Sequence, residues 1–579
     1  MRFIRPALGA SLLLSACAAL AAPLTSLRID VSPLLDGPRP ALKVDVRYRA
    51  QSGGQCAIEL PNEWADQQAM YKAVQKLRLV GTSAMLRETD KPHVRSFDCK
   101  RNQPIHLQYE LRQEDEAPLN NARRYRFSMD PAHFHLIGYA GWVLPKAEEN
   151  DPLKVDLRWV SMPSAWVLAN SFGTEARRQT VSATFDRFRA AVFVGGDFRL
   201  GATKDEAGRG VTVAMRGNWS FSDRAFADKA SAIIRAERDF WRSKESSYLV
   251  TVIPITEPPG ARSLGGTSLT AAFAMFLTPN AQLDDLSTLL AHEYFHNWNS
   301  QQLGAMAEPQ QSVYWISEGF TDYYAPLLLL RSGQMTLDAY IGHTNALLKN
   351  VYVSPVREAD NQHVIQAFWS DPNVQKLPYN RGTLLAMEWQ AQIHAASGGR
   401  KSFDDVMYGL RQQVEAAERA KAEAPALTAA RVAGLLDQLG AADAAGLVQR
   451  HIEAGRLIAP RAEWFGPAVE LQQIELPLFE LGLDLPKLKE KVIGGVTEGS
   501  APYVAGLRND QKVIKRTPIY LGNTDQTIEV TVEADGGEQT YRYQPRAAKG
   551  LVVPQFRLRT DATPEQLAQT RQLLGIPHR

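Results

Sequence analysis

Residues 284–298 read Asp284-Asp285-Leu286-Ser287-Thr288-Leu289-Leu290-Ala291-His292-Glu293-Tyr294-Phe295-His296-Asn297-Trp298, and this stretch decides how the chain is read. Leu286, Leu289, Leu290, Phe295 and Trp298 recur at helical intervals. Asp284 and Asp285 stand where an N-cap and a first-turn acid favour the positive helix start. On such a helix His292 and His296 share one face a turn apart, so both imidazoles can reach one metal ion. Glu293 lies between them, placed to hold a water rather than to bind the ion.

A tetrahedral site needs a third protein ligand and an open position. The candidate is Glu318, in the apolar, aromatic segment SVYWISEGFTDYYAPLLLL. A carboxylate there is costly to bury without a partner, and a metal supplies one. Asp322, four residues on, faces the same way and is expected to accept the distal N–H of a ligand histidine. Imidazole ligands favour zinc over magnesium or calcium, one ion per chain.

HEYFHNWN (292–299) followed by WISEGFTDYY (315–324) resembles the glycyl aminopeptidase family of PDZ-containing zinc metallopeptidases. These are gluzincins with a thermolysin-like catalytic domain. A third block, LPYNRGTLL (377–385), is similar to a downstream family segment whose tyrosine hydrogen-bonds the tetrahedral intermediate. The resemblance makes Tyr379 the oxyanion donor. It also sets the segment Gly265-Gly266-Thr267-Ser268 beside the metal helix as a substrate-binding edge strand. There the chain departs from the family. The expected segment carries Gly-Gly-Leu-Glu-His, whose glutamate holds the substrate α-amine; here Gly265-Gly266 is followed by Thr267-Ser268-Leu269-Thr270. The zinc machinery matches while the amine clamp does not.

The first 22 residues carry Arg2 and Arg5, an apolar stretch and a small-residue cleavage site at Ala19-Leu20-Ala21, the pattern of a secretory signal. Leu14-Ser15-Ala16-Cys17 also resembles a lipobox. The expectation is export to the bacterial periplasm, either soluble or tethered by a lipid on Cys17. Without that segment 63 basic and 63 acidic side chains remain, a balance that argues against nucleic acid as a partner and leaves a peptide or protein substrate. Cys56 and Cys99 also remain; in an oxidising compartment they point to one disulfide rather than two buried thiols.

At 579 residues several domains are expected, in a multidomain α+β architecture. Residues 23–190 alternate apolar and polar residues and read as a β-sandwich-like domain. Within them His133 and His135 have strand chelate spacing but no third ligand nearby, so they are assigned to structure. Residues 191–460 read as the thermolysin-like peptidase domain, helical in its second half. His343, His363, His394 and His451 lie there without ligand spacing and are assigned to packing or surface. Residues 461–560 resemble a PDZ domain, with Leu481-Gly482-Leu483 as its peptide-carboxylate loop. Asn509-Asp510 replaces the usual Gly-Asp there, so the copy is degenerate. Residues 561–579 read as a short helical tail.

The expected mechanism is hydrolysis by zinc-activated water, with Glu293 as general base. Three functions follow: an aminopeptidase acting on small N-terminal residues, a zinc peptidase of relaxed or endopeptidase specificity, and a catalytically weak PDZ and sandwich adaptor. The intact Glu293 argues against the adaptor, which has no physical need of it.

Overall fold

Ile29 pairs with Val46 on one side and Leu157 on the other, and this register sets one face of the first large sheet. The computed structural model describes residues 26–577 apart from Pro38, Glu175, Glu206, Ala207, Ser300, Gln301 and Asp535. The expected signal segment and Cys17 lie outside the described residues. Strand order in that six-stranded sheet is Arg178–Thr184, Pro152–Trp159, Ser26–Leu34, Ala41–Arg49, Pro104–Leu111, Val74–Leu79. Leu27, Ile29 and Val31 meet Val155, Leu157 and Trp159 in parallel pairing, and all six are buried. The opposite face carries charge, with Arg47 Nη1 2.6 Å from Asp30 Oδ2 across the strands. Sheets of four and five strands contribute Ile58, Phe97, Phe134 and Phe193 to the same apolar core. Strands Gly54–Glu59 and Val94–Cys99 pair antiparallel, and a disulfide joins Cys56 to Cys99 with Cα atoms 5.9 Å apart. Closing that loop stabilises the fold by about 3–4 kcal/mol.

A second five-stranded sheet runs in the order Arg199–Lys204, Gly210–Met215, Ser247–Pro254, Ala272–Leu277, Leu264–Leu269. Its three inner strands are parallel. They are rich in apolar residues, every residue of Ala272–Leu277 being apolar and buried, because both faces are covered. Helix α1 (Asp223–Phe240) lies in the long connection that a parallel pair requires. Leu264–Leu269 is an edge strand, antiparallel to Ala272–Leu277.

Among the described residues the chain divides into two compact units. One runs to Arg235 and includes Ser243–Leu289; the other comprises Ala236–Arg242 and the chain from Leu290 onward. The second unit is built on helices, among them the end of α2 (Asp285–Phe295), α3 (Gly319–Arg331) and α4 (Pro372–Ser397). Their termini are capped by ordinary chemistry. Asp371 accepts from Asn373 N–H at the start of α4, where Pro372 fits the first turn. Gly398, with φ 62°, closes its end. Toward the C-terminus, Val469–Leu476 pairs with Leu551–Leu558. A three-stranded sheet of Val513–Arg516, Ile528–Ala534 and Gly537–Tyr543 packs over its own core of Leu481, Leu483, Ile493, Leu507 and Val530. The tail forms a helix over Pro564–Leu574 with a Thr563/Gln566 capping box. It is held by Gln390 Nε2 donating to the Leu573 carbonyl (2.6 Å). The molecule is thus a mixed α/β chain of many sheets and helices. No helix among the described residues is long and apolar enough to cross a membrane.

Candidate metal centre and active site

Helix α2 carries His292 and the turn leaving its end carries His296, with ring centroids 4.7 Å apart and ring planes at 84°. The helix ends at Phe295, earlier than its apolar period implies. Past it the backbone tightens to three-residue bonds, Asn297 N–H to Tyr294 O and Trp298 N–H to Phe295 O. A buried side chain fixes this exit. Asn299 Nδ2 donates to the carbonyls of Ile316 (3.1 Å) and Ser317 (2.8 Å) and to Thr321 Oγ1 (2.9 Å). The turn after the histidines is thereby tied to the segment that carries Glu318.

Glu318 stands at the junction of the short helix Tyr314–Ser317 and α3. The hydrogen-bond ladder runs through it, Glu318 N–H to Tyr314 O (2.7 Å) and Asp322 N–H to Glu318 O (2.8 Å). Its Oε2 is 3.4 Å from His292 Nε2 and 3.3 Å from His296 Nε2, and the two Nε2 atoms are 3.1 Å apart. Tetrahedral bonds of about 2.0–2.1 Å to nitrogen and oxygen give donor–donor edges of about 3.3–3.4 Å. The triangle fits a metal ion in size as well as in donor type. Among the described residues it is the group of His, Cys, Asp and Glu side chains that meets this condition. Burial pushes the Glu318 carboxyl up, but the charge of His296 and hydrogen bonds from both histidines outweigh it and hold the carboxyl well below its usual range.

His292 Nδ1–H donates to Asp322 Oδ1 at 2.7 Å, which turns the Nε2 lone pair toward the other donors.

Tyr379 reaches the site through a contact that no local pattern in the sequence announces. Gly319 on α3 and Gly382 on α4 abut, and a Cβ on Gly382 would lie 1.9 Å from the Trp315 carbonyl oxygen. A Cβ on Gly319 would lie 2.5 Å from Gly382 Cα. Thr383 Oγ1 donates to the Gly319 carbonyl (3.0 Å) beside this crossing. Glu318 precedes Gly319, and Tyr379 is about one turn before Gly382, so the crossing sets Tyr379 on the Glu318 side of the site. Its ring lies nearly parallel to that of His292, 6.2 Å away. Burial first, then the charges of Glu318 and Asp322, pushes the phenol far up and keeps it a proton donor. The Glu293 carboxylate acts in the same direction.

Two further groups near the centre carry no sequence motif. Glu237 on α1 is fully buried, and neither carboxylate oxygen has a hydrogen-bond partner among the described residues. Burial pushes its pKa well up, against the pull of His292. Its neighbour Arg238 donates from Nε to the buried Tyr294 hydroxyl, 2.9 Å away.

The other expected site residues are placed within their own units. Gly265, Gly266, Thr267 and Ser268 occupy the edge strand of the first unit. The Gly266 carbonyl accepts from Tyr125 Oη at 2.8 Å, and a Cβ there would meet the Phe273 ring at 2.3 Å. Leu481 and Leu483 point into the C-terminal core, flanking Gly482 at φ 65°, and the short helix Leu485–Lys489 follows them. His135 is fully buried, and burial pushes its pKa down to about 3, so it packs as a neutral ring.

Residues 285–371 match the M61 glycyl aminopeptidase family. The matched span takes in His292, Glu293, His296, Glu318 and Asp322 and ends before Tyr379. No curated protein matches the chain. Among solved structures the chain is similar to an aminopeptidase N family protein from Idiomarina loihiensis, with a TM-score of 0.67 and 15% identity over 94% of this chain and 100% of that one. At that identity the likeness is one of fold. The family match and the two-histidine, one-glutamate group together support a peptidase with a metal-binding centre.

Proposed function

We propose that the chain is an exported zinc metallopeptidase, an aminopeptidase acting on peptides with small N-terminal residues. The observation that carries this reading is the convergence of His292 Nε2, His296 Nε2 and Glu318 Oε2, 3.1–3.4 Å apart, beside Glu293 and Tyr379. Two imidazoles and one carboxylate suit zinc better than the harder divalent ions. When bound, zinc supplies Lewis acidity, which makes water a nucleophile near neutral pH and polarises the scissile carbonyl. The Glu293 carboxylate takes a proton from the attacking water and returns it to the leaving amine nitrogen. The Tyr379 hydroxyl donates to the oxyanion formed at the carbonyl. Asp322 holds the His292 ring in its productive tautomer through Nδ1.

A second reading, relaxed or endopeptidase specificity, is favoured by one observation: Gly265–Thr270 contains no acid to hold an α-amine. In this reading the catalytic domain is thermolysin-like and Leu481-Gly482-Leu483 is the loop of a degenerate PDZ-like module. The N-terminal pattern supports export, with Cys17 as the lipid acceptor if the lipobox is used.

One assay separates these functions. Purified protein is given an amino-acid anilide, its N-acetylated form and an internally quenched peptide, each with and without a chelator. Chelator-sensitive cleavage of the free-amine substrate alone supports the aminopeptidase. Cleavage of blocked peptides supports the relaxed peptidase. Absence of chelator-sensitive turnover on all three sinks the hydrolytic reading and leaves an adaptor.

A further inference from the structure

Trp369 is 73% exposed although it stands on an apolar cluster. Phe368, 4% exposed, lies beneath it, with ring centroids 4.9 Å apart. The Phe368 centroid is in turn 4.8 Å from that of Tyr314. Tyr314 is the residue whose carbonyl accepts the Glu318 N–H. Phe368 packs with Val364, Val374 and Leu377, and both Tyr314 and Tyr379 lie against this group. One cluster therefore touches the candidate centre through two tyrosines and ends in an uncovered indole.

The indole is carried on a firm support. The helix Asn361–Ala367 ends just before it and α4 begins just after it. The turn between them is bonded, Ser370 N–H and Asp371 N–H both donating to the Ala367 carbonyl. A Trp so fixed gives a large contact area with little loss of freedom on binding. The two ring spacings put Trp369 within about 10 Å of Tyr314, or about three residues of extended peptide.

We infer that Trp369, backed by Phe368 and Tyr314, is a subsite for an aromatic or large aliphatic side chain of the peptide substrate, a few residues from the scissile bond. The inference rests on the peptidase reading and deepens it, since the substrate becomes an oligopeptide rather than an amino-acid amide. The occupant is argued from proximity to the centre, because the partly exposed Tyr314, one turn before Glu318, and the exposed Trp369 both pack on Phe368. Trp369 selects substrate and has no part in the bond-breaking step.

The test is calorimetric binding to the zinc-loaded Glu293→Gln protein, which needs no turnover. Heptapeptides carry Phe or Ser at one position at a time and are otherwise identical. The expected result is one position at which Phe binds about 3- to 10-fold more tightly than Ser. Adding Trp369→Ala should collapse that ratio toward one, and Trp369→Phe should restore most of it. Absence of any Phe preference, or one that survives Trp369→Ala, overturns the subsite. Either failure is distinct from failure of the hydrolytic reading, which the chelator assay measures on the unmodified protein.

Discussion

The surroundings of His292 and those of Leu481 are built on opposite terms. At His292 the order is polar: Nδ1–H is committed to Asp322, Nε2 faces His296 and Glu318, and Asn299 ties the following turn to the Glu318 segment. At Leu481 the order is apolar. Leu481 and Leu483 pack with Ile493, Leu507 and Val530, and the loop's polar links are made by backbone, Tyr543 Oη donating to Leu481 O and Asp484 N–H to Gly494 O. The C-terminal region also leaves Val504, Tyr520 and Leu521 exposed. A polar cluster of the first kind fails by losing chemistry, and a packed loop of the second kind fails by losing stability.

Variants at the two regions should separate on that line. His296→Ala is expected to have the largest effect, with zinc content by atomic absorption falling from one per chain to near zero and turnover lost with it. Glu293→Gln should keep its zinc and lose about 1,000-fold in kcat; a variant that loses the metal as well would erase the division between ligand and base.

Gly382→Ala tests the crossing that sets Tyr379 on the Glu318 side of the site. A methyl group 1.9 Å from the Trp315 carbonyl must push the helices apart, at a cost of about 3 kcal/mol in urea unfolding. Unchanged stability would mean that the glycine contact does not set the helix spacing. Asp322→Asn should weaken zinc binding about 10- to 100-fold in competition with a chelator.

Gly482→Ala should have the smallest effect. Its φ of 65° and the Pro502 ring 2.7 Å from an added Cβ predict a loss of about 1–2 kcal/mol, read as a lower Tm. Zinc content should stay at the unmodified value. Loss of zinc there would break the contrast between the two regions.

Much of the metal centre is legible in the order of residues. The four-residue spacing of His292 and His296 is a local property of a helix, and a glutamate inside SVYWISEGF is conspicuous because an unpaired charge there is costly. Tyr379 is legible through resemblance, while its place beside the His292 ring is not. Asn299, Glu237 and the Gly319–Gly382 contact leave no trace in any local pattern, because each acquires its meaning from residues far away in the chain. The end of α2 at Phe295 is hidden for the same reason: apolar period continues to Trp298, but the Asn299 side chain captures the carbonyls of another segment and sets the exit.

The chain's order of residues by itself determined the helical spacing of two imidazoles, the glutamate between them and the acid that joins them, since helical period and the cost of burying charge act over a few residues. Tertiary structure alone decided that the three donors stand 3.1–3.4 Å apart and that Tyr379, sixty-one residues beyond Glu318, lies beside the His292 ring. Those distances depend on how closely helices pack, and that closeness was set by two glycines without a Cβ at the point where α3 and α4 cross.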